Sequence, residues 1–235
     1  MSILQNLPFS LCESGPEQVD GIGNFYLQVL APAPSQLPLL TLYFLDSHGK
    51  IPRTIFNLFN PDYEPIKQSQ IDWFTNTSQT LRDDNDNHLV LAFVHIPLPE
   101  FAYRDLRIRS GRRREPTECP SVNSHFYRAL GEAGISALGC GHDHANDFCA
   151  LLPQQTGPWL CQSGTSGFGA YGSYGGERFH RRARVWQLDT STGGLTTWMR
   201  VEYAMDRVDE LVLVESGVVV DLPGEEDEGR SCVVS

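Results

Sequence analysis

The residues of this chain best suited to chemistry lie in Cys140-Gly141-His142-Asp143-His144-Ala145-Asn146-Asp147-Phe148-Cys149. Two histidines two residues apart follow the apolar run Ile135-Ser136-Ala137-Leu138-Gly139, where a strand should turn into a loop. Imidazole is the commonest protein ligand for first-row metals, and Gly141 lets the backbone turn sharply and come close to an ion. A third histidine has a similar setting: His95 ends the apolar run Leu89-Val90-Leu91-Ala92-Phe93-Val94 and precedes Ile96-Pro97-Leu98-Pro99. His95, His142 and His144 are therefore the candidate metal ligands. For an isolated His-x-His the alternative is a polar turn with two solvated rings; the third histidine weighs against it. Asp143 and Asp147 are close enough to be recruited, or they serve local turn hydrogen bonds. Cys140 and Cys149 would complete a Cys-His-His-Cys zinc set, although free cysteines more often pack as small buried hydrophobes. His48, His88, His125 and His180 have no comparable context and read as surface or locally satisfied side chains.

The elements that must position these residues are legible from periodicity. Alternation predicts a strand over Phe25 to Leu30, ended by the Pro32 to Pro38 linker, and an apolar run predicts another over Leu39 to Leu45. Pro52 to Pro65 reads as a long loop. Ile71, Trp73, Phe74, Thr77 and Leu81 recur at helical spacing, with Ser69 as N-cap and Asp72 as its acidic partner. Leu89 to Val94 is the next strand. Ser121 to Gly134 reads as a helix stopped by Gly134, and Ile135 to Gly139 as the strand entering the His-x-His corner. Trp159 to Cys161, Ala183 to Leu188 and Leu195 to Val201 add strands, the last two joined by a hairpin turn at Asp189 to Gly194. Alternating strands and helices followed by an antiparallel run define an α/β chain with a mixed sheet. From about Glu210 the sequence becomes polar and acidic, giving a division into residues 1–205 and a tail, 206–235.

With 235 residues, 40% of them hydrophobic, the chain can bury a core of its own. A formal net charge of −11 excludes a general nucleic-acid binder. The basic run Arg104 to Arg114 is read as a solvated loop rather than a docking patch for phosphoproteins. His180-Arg181-Arg182 is either a solvated turn or a contact for a substrate phosphate. Cys12, Cys119, Cys140, Cys149, Cys161 and Cys232 are too scattered for a disulfide scaffold and fit reduced thiols in a cytoplasmic protein. No stretch approaches the about 18 apolar residues of a membrane span, and the N-terminus lacks the features of a signal peptide. Cys232-Val233-Val234-Ser235 fits the C-a-a-X prenylation pattern, with Ser favouring farnesyl; one such chain tethers a protein to a membrane only weakly.

Two segments, Phe93-Val94-His95-Ile96-Pro97-Leu98-Pro99-Glu100 and Gly141 to Cys149, resemble the last two metal motifs of the calcineurin-like metallophosphoesterases. The type is that of the fungal cell-cycle-regulator phosphatases and the small plant purple acid phosphatases. The likeness continues through Gly21 to Tyr26, Leu42 to Ser47, Gln70 to Phe74 and the glycine-rich Ser163 to Gly172, covering roughly residues 1–205. It implies the C-terminal part of a four-layer α-β-β-α sandwich with a mixed sheet. It also implies two divalent ions of the Fe, Mn or Zn type, and hydrolysis of phosphorylated proteins or small phosphoesters. Carried over by residue, His95 and His142 match ligands of one ion and His144 a ligand of the other. The family's earlier motifs are not found: no Gly-Asp-x-x-Asp occurs, Gly23-Asn24 is followed by Phe25, and Asp86-Asn87-His88 sits in a polar turn. The resemblance therefore assigns metal ligands and no catalytic residue, and implies a truncated phosphatase with impaired activity. The alternative is a non-catalytic pseudophosphatase or protein-interaction module.

Overall fold

The computed structural model of the chain describes residues 2–52, 62–82, 88–153, 157–169 and 172–221. Its elements in chain order are α1 (Ser2–Gln5), β1 (Phe25–Leu30), β2 (Pro38–Phe44), α2 (Gln68–Thr80), β3 (Leu89–Phe93), β4 (Arg107–Ser110), α3 (Phe126–Glu132), β5 (Ala137–Cys140), β6 (Cys149–Leu151), β7 (Trp159–Gln162), β8 (Ser173–Tyr174), β9 (Glu177–Arg178), β10 (Arg182–Asp189), β11 (Gly194–Val201), β12 (Val208–Glu215) and β13 (Val218–Val219). A seven-stranded mixed sheet runs β1-β2-β3-β5-β7-β6-β4, and a four-stranded antiparallel sheet runs β10-β11-β12-β13. Strands β2, β3, β5 and β7 are parallel neighbours, flanked by antiparallel pairs at both edges.

The apolar run of β3 shows why that strand cannot alternate with polar residues. Leu89, Leu91 and Phe93 point into one core, while Val90, Ala92 and Val94 point into another. Both faces are covered, which is the rule for parallel strands. On the first face α2 and α3 pack through Phe74, Phe126 and Leu130; on the second lies the other sheet, with Leu195, Leu213, Val214 and Trp186. At Gly139 the layers come so close that a Cβ would lie 2.8 Å from the Phe93 ring and 3.2 Å from Trp186. The result is an α-β-β stack, the β-rich portion of the four-layer arrangement.

The structure shifts several elements. Lys67, not Ser69, precedes α2; the Gln70 side chain accepts the Lys67 N–H at 2.8 Å, and Ser69 bonds Asp20 instead. Helix α3 starts only at Phe126 because His125 takes a left-handed conformation, φ 62°. Two short strands, β4 and β6, had no alternation long enough to read. Strand β12 extends past residue 205: Leu213 and Val214 are fully buried, and the Trp159 indole donates to the Leu213 carbonyl at 3.0 Å. The acidic Asp209, Glu210 and Glu215, exposed toward the two ends of the strand, mask it in the sequence. Cys149 and Cys161 face each other across β6 and β7 and form a disulfide, which corrects the reading of reduced thiols for this pair. Their pairing follows from strand register, which spacing in sequence does not reveal. The turn at 83–87, the acidic tail from Pro223 and the Cys232 motif lie outside the described residues. Among the described residues, no helix is long and apolar enough to cross a membrane.

Because Leu213 belongs to the inter-sheet core, Leu213→Ala should cost ~2–5 kcal/mol. An exposed residue in a polar tail would change stability by less than about 0.5 kcal/mol. Urea denaturation followed by tryptophan fluorescence separates the two.

Candidate metal centre

The C-terminal ends of β2, β3 and β5 open onto one cleft, the place where sheets of this kind expose their ligand-binding residues. The ladder continues beyond the strands: Leu45 N–H donates to Phe93 O, Val94 N–H to Gly139 O and Gly141 N–H to His95 O, each at 3.1 Å. His95 and the His-x-His loop are thus carried on hydrogen-bonded backbone. The Ser47 hydroxyl, at the end of β2, accepts the N–H groups of His95 at 3.2 Å and Ile96 at 2.8 Å. His142 adopts a left-handed conformation, φ 72°, uncommon outside glycine and enriched at functional sites.

The cleft holds about 440 Å³ and is lined by His48, Lys50, Tyr63, His95, Glu118, His142 and His144, with Asp143 at its base. All three sequence-predicted ligands are in it. The His95 and His142 rings lie 5.3 Å apart, nearly perpendicular at 81°. Tyr63 sets its ring edge-on to His142 at 5.0 Å, places its hydroxyl 3.0 Å from His142 Nε2 and donates to Glu118 Oε2 at 2.6 Å. Glu118 Oε2 is in turn 3.6 Å from His142 Nε2. Among the described residues, no three His, Cys, Asp or Glu side chains are already gathered around one point closely enough to hold an ion. Burial, and then the neighbouring His95, push the His142 pKa below the ordinary histidine value, while Glu118 opposes them. Both effects favour the neutral form of the ring, the form that has a lone pair to offer.

The acidic residues of the motif do something else. Asp143, 2% exposed, accepts hydrogen bonds from Glu118 N–H at 3.1 Å, from Gln162 Nε2 at 2.7 Å and from Asn146 Nδ2 at 3.4 Å. Burial raises its pKa to about 6 against the pull of those donors. Asp147, fully buried, accepts from Arg112 N–H at 2.9 Å and pairs with Arg114 at 2.6 Å and with Arg182. The Arg184 guanidinium, itself buried, donates to the Asp147 carbonyl at 2.6 Å and the Gln162 carbonyl at 2.9 Å. Both aspartates are thus consumed in shaping the loop that bears the histidines.

This network corrects two readings of basic residues. The Arg104 to Arg114 run is not a free loop: it forms β4, Arg113 caps the carbonyls of Phe101 and Tyr103, and Arg114 locks Asp147. Likewise Arg182 turns to Asp147, while Arg181 pairs with Glu202 and stacks over Phe168. The Cys-His-His-Cys alternative loses Cys149 to its disulfide, and Cys140 is fully desolvated with its thiol pKa raised well above normal. Sequence reading missed Tyr63, Lys50 and Glu118 and set His48 aside. His48 lies 2.7 Å from Gln70 Oε1, and Gln70 Nε2 donates to Asn24 Oδ1 and the Asp46 carbonyl. The strand-end rule applied to β2 would have found His48; nothing local announces Tyr63 or Glu118.

Comparison with known proteins meets this geometry from the other side. No protein-family model matches the chain. Probable inactive purple acid phosphatases 14 and 29 of Arabidopsis thaliana are 34% and 36% identical to it, each over 86% of this chain. Phosphatase DCR2 of Saccharomyces cerevisiae is 32% identical over 83% of it. Over most of its length the chain is thus similar to proteins named as purple acid phosphatases and as a yeast phosphatase. It spans 55%, 54% and 35% of the lengths of those three relatives. In this chain the sheet is mixed and the two histidine motifs leave the ends of adjacent parallel strands, β3 and β5.

Removing the Asp147 carboxylate leaves Arg114 and Arg182 without their anionic partner at the base of the loop. Asp147→Ala should destabilise the chain by ~3–5 kcal/mol, read from its denaturation midpoint. The depressed His142 pKa has a checkable cause. In His95→Ala one repelling charge is gone, so the His142 midpoint should move up toward the ordinary value near 6.5, as followed by NMR titration of the ring protons.

Proposed function

We propose that the cleft binds divalent metal through His95, His142 and His144 and serves metal-dependent hydrolysis of phosphoesters, of phosphorylated proteins or of small molecules. The observation that carries this reading is the convergence of three imidazoles in one cleft at the ends of β3 and β5. Their chemistry suits Fe, Mn or Zn ions: imidazole nitrogen donors on hydrogen-bonded backbone, beside one carboxylate. Divalent ions held there would polarise the phosphoester and supply a nucleophile at neutral pH. The chain's own residues do the rest of the positioning. Asp147 with Arg114 and Arg182 fixes the loop that bears His142 and His144. Ser47 fixes the backbone of His95, and Lys50, on the rim 5.5 Å from the Tyr63 ring, presents a positive charge to an incoming phosphate.

A second reading, a non-catalytic phosphate-side binding module, is favoured by a specific observation. The given sequence contains no Gly-Asp-x-x-Asp to bridge two ions, and two of the similar plant proteins carry "inactive" in their names. Loss of even one charge-stabilising element commonly costs ~10²–10³ in rate. The chain alone should therefore turn over p-nitrophenyl phosphate at least ~10² more slowly than a full-length active relative assayed beside it. Turnover should depend on added Mn²⁺ or Fe²⁺/Zn²⁺ and disappear in His144→Ala. Turnover untouched by chelator or by His144→Ala would defeat the hydrolase reading, whereas metal retained without any turnover would favour the binding module.

A further inference from the structure

The cleft contains one carboxylate whose position the histidine motifs do not account for. Glu118 lies 24 residues before His142 in the sequence, outside both motifs. Its backbone N–H is tied to Asp143 Oδ1 at 3.1 Å, so its main chain is held against the very loop that bears the two histidines. Its side chain leans over the cleft, with Oε2 3.6 Å from His142 Nε2. Two ligands at about 2.1 Å from a tetrahedral ion lie roughly 3.4 Å apart, since the edge of a tetrahedron is about 1.6 times the centre-to-vertex distance. The observed separation is close to that value. The other carboxylate at the cleft, Asp143, has both oxygens engaged by Glu118 N–H, Gln162 and Asn146. A doubly charged ion beside Lys50 and with imidazole donors needs an anionic ligand to offset its charge, and Glu118 is placed to be one. Tyr63 fixes that placement: nearly buried, it donates to Glu118 Oε2 at 2.6 Å while its hydroxyl stands 3.0 Å from His142 Nε2.

We propose that Glu118 is a metal ligand, sharing one ion with His142, and that Tyr63 is the positioning residue that aims its carboxylate. This rests on the metal-binding reading above. It gives the site a carboxylate drawn from the segment after the basic run, in place of one delivered by a strand-end motif. Glu118 is 62% exposed on its side chain, so Glu118→Gln leaves the fold, and the backbone bond to Asp143, intact.

The test is calorimetric titration of the whole chain with Zn²⁺, comparing wild type, Glu118→Gln, Glu118→Asp, Tyr63→Phe and His142→Ala. Support surfaces alone weaken metal binding ~10–100-fold when lost, so Glu118→Gln should weaken it by at least that, Glu118→Asp should recover part of it, and Tyr63→Phe should cost about 10-fold. The visible spectrum of the Co²⁺-loaded chain separates ligation from a through-space charge effect, because it changes in Glu118→Gln only if a ligand has been lost. Unaltered affinity or an unaltered Co²⁺ spectrum in Glu118→Gln, with His142→Ala still weakened, would overturn the Glu118 assignment and leave the histidine site standing. A wild-type chain that takes up no Zn²⁺, or one in which His142→Ala binds as well as wild type, would overturn both.

Discussion

The loop that carries His142 and His144 depends on the buried carboxylate of Asp147. Charge fully removed from water is costly unless it is paired and hydrogen-bonded. Here it meets Arg114 from the segment after β4, Arg182 from the start of β10, and the backbone N–H of Arg112. Arg184 adds a bond to the Asp147 carbonyl. Two separate pieces of the chain are therefore drawn to one residue, and the histidine loop cannot shift without breaking charge-assisted bonds in a dry environment. The second sheet thus contributes to the site without reaching it: its arginines hold the base on which the imidazoles stand.

The same economy governs the rest of the cleft. Gln70, fully buried on α2, accepts the Lys67 N–H at the start of its helix, meets His48, and donates to Asn24 and Asp46. It therefore ties the helical layer to the end of β2. Ser47 ties that same end to His95. A buried polar network of this sort is stable only when every member finds a partner, and the partners come from α2, β2 and the segment before β1. The cleft is in this sense a product of all three layers, although its motif histidines come from only two strand ends.

The chemistry open to the cleft depends on what surrounds the imidazoles. Asp143 and Asp147 are spent on structure, leaving Glu118 as the carboxylate that faces the open side, opposite Lys50 and beside Tyr63. The residues named as ligands by the sequence motif and the residues that tune them come from different kinds of segment. The first leave strands; the second sit on loops that meet the strands only in three dimensions.

The sequence by itself determined the inner strands of the central sheet, because β3, β5 and most of β7 are covered on both faces and read as apolar runs. It also pointed to the three histidines that line the cleft, since they lie within four residues of the ends of such runs. Gly134 as the stop after α3 and the hairpin between β10 and β11 were equally legible, being local. Tertiary structure alone decided the rest. The Cys149–Cys161 disulfide depends on the register of two strands, and the burial of β12 depends on the sheet facing it. The fate of the basic run depends on a carboxylate 33 residues away. The approach of Tyr63 and Glu118 to His142 spans 79 residues for the tyrosine. Such contacts leave no periodic trace in the chain, because only the folded backbone brings their two ends together.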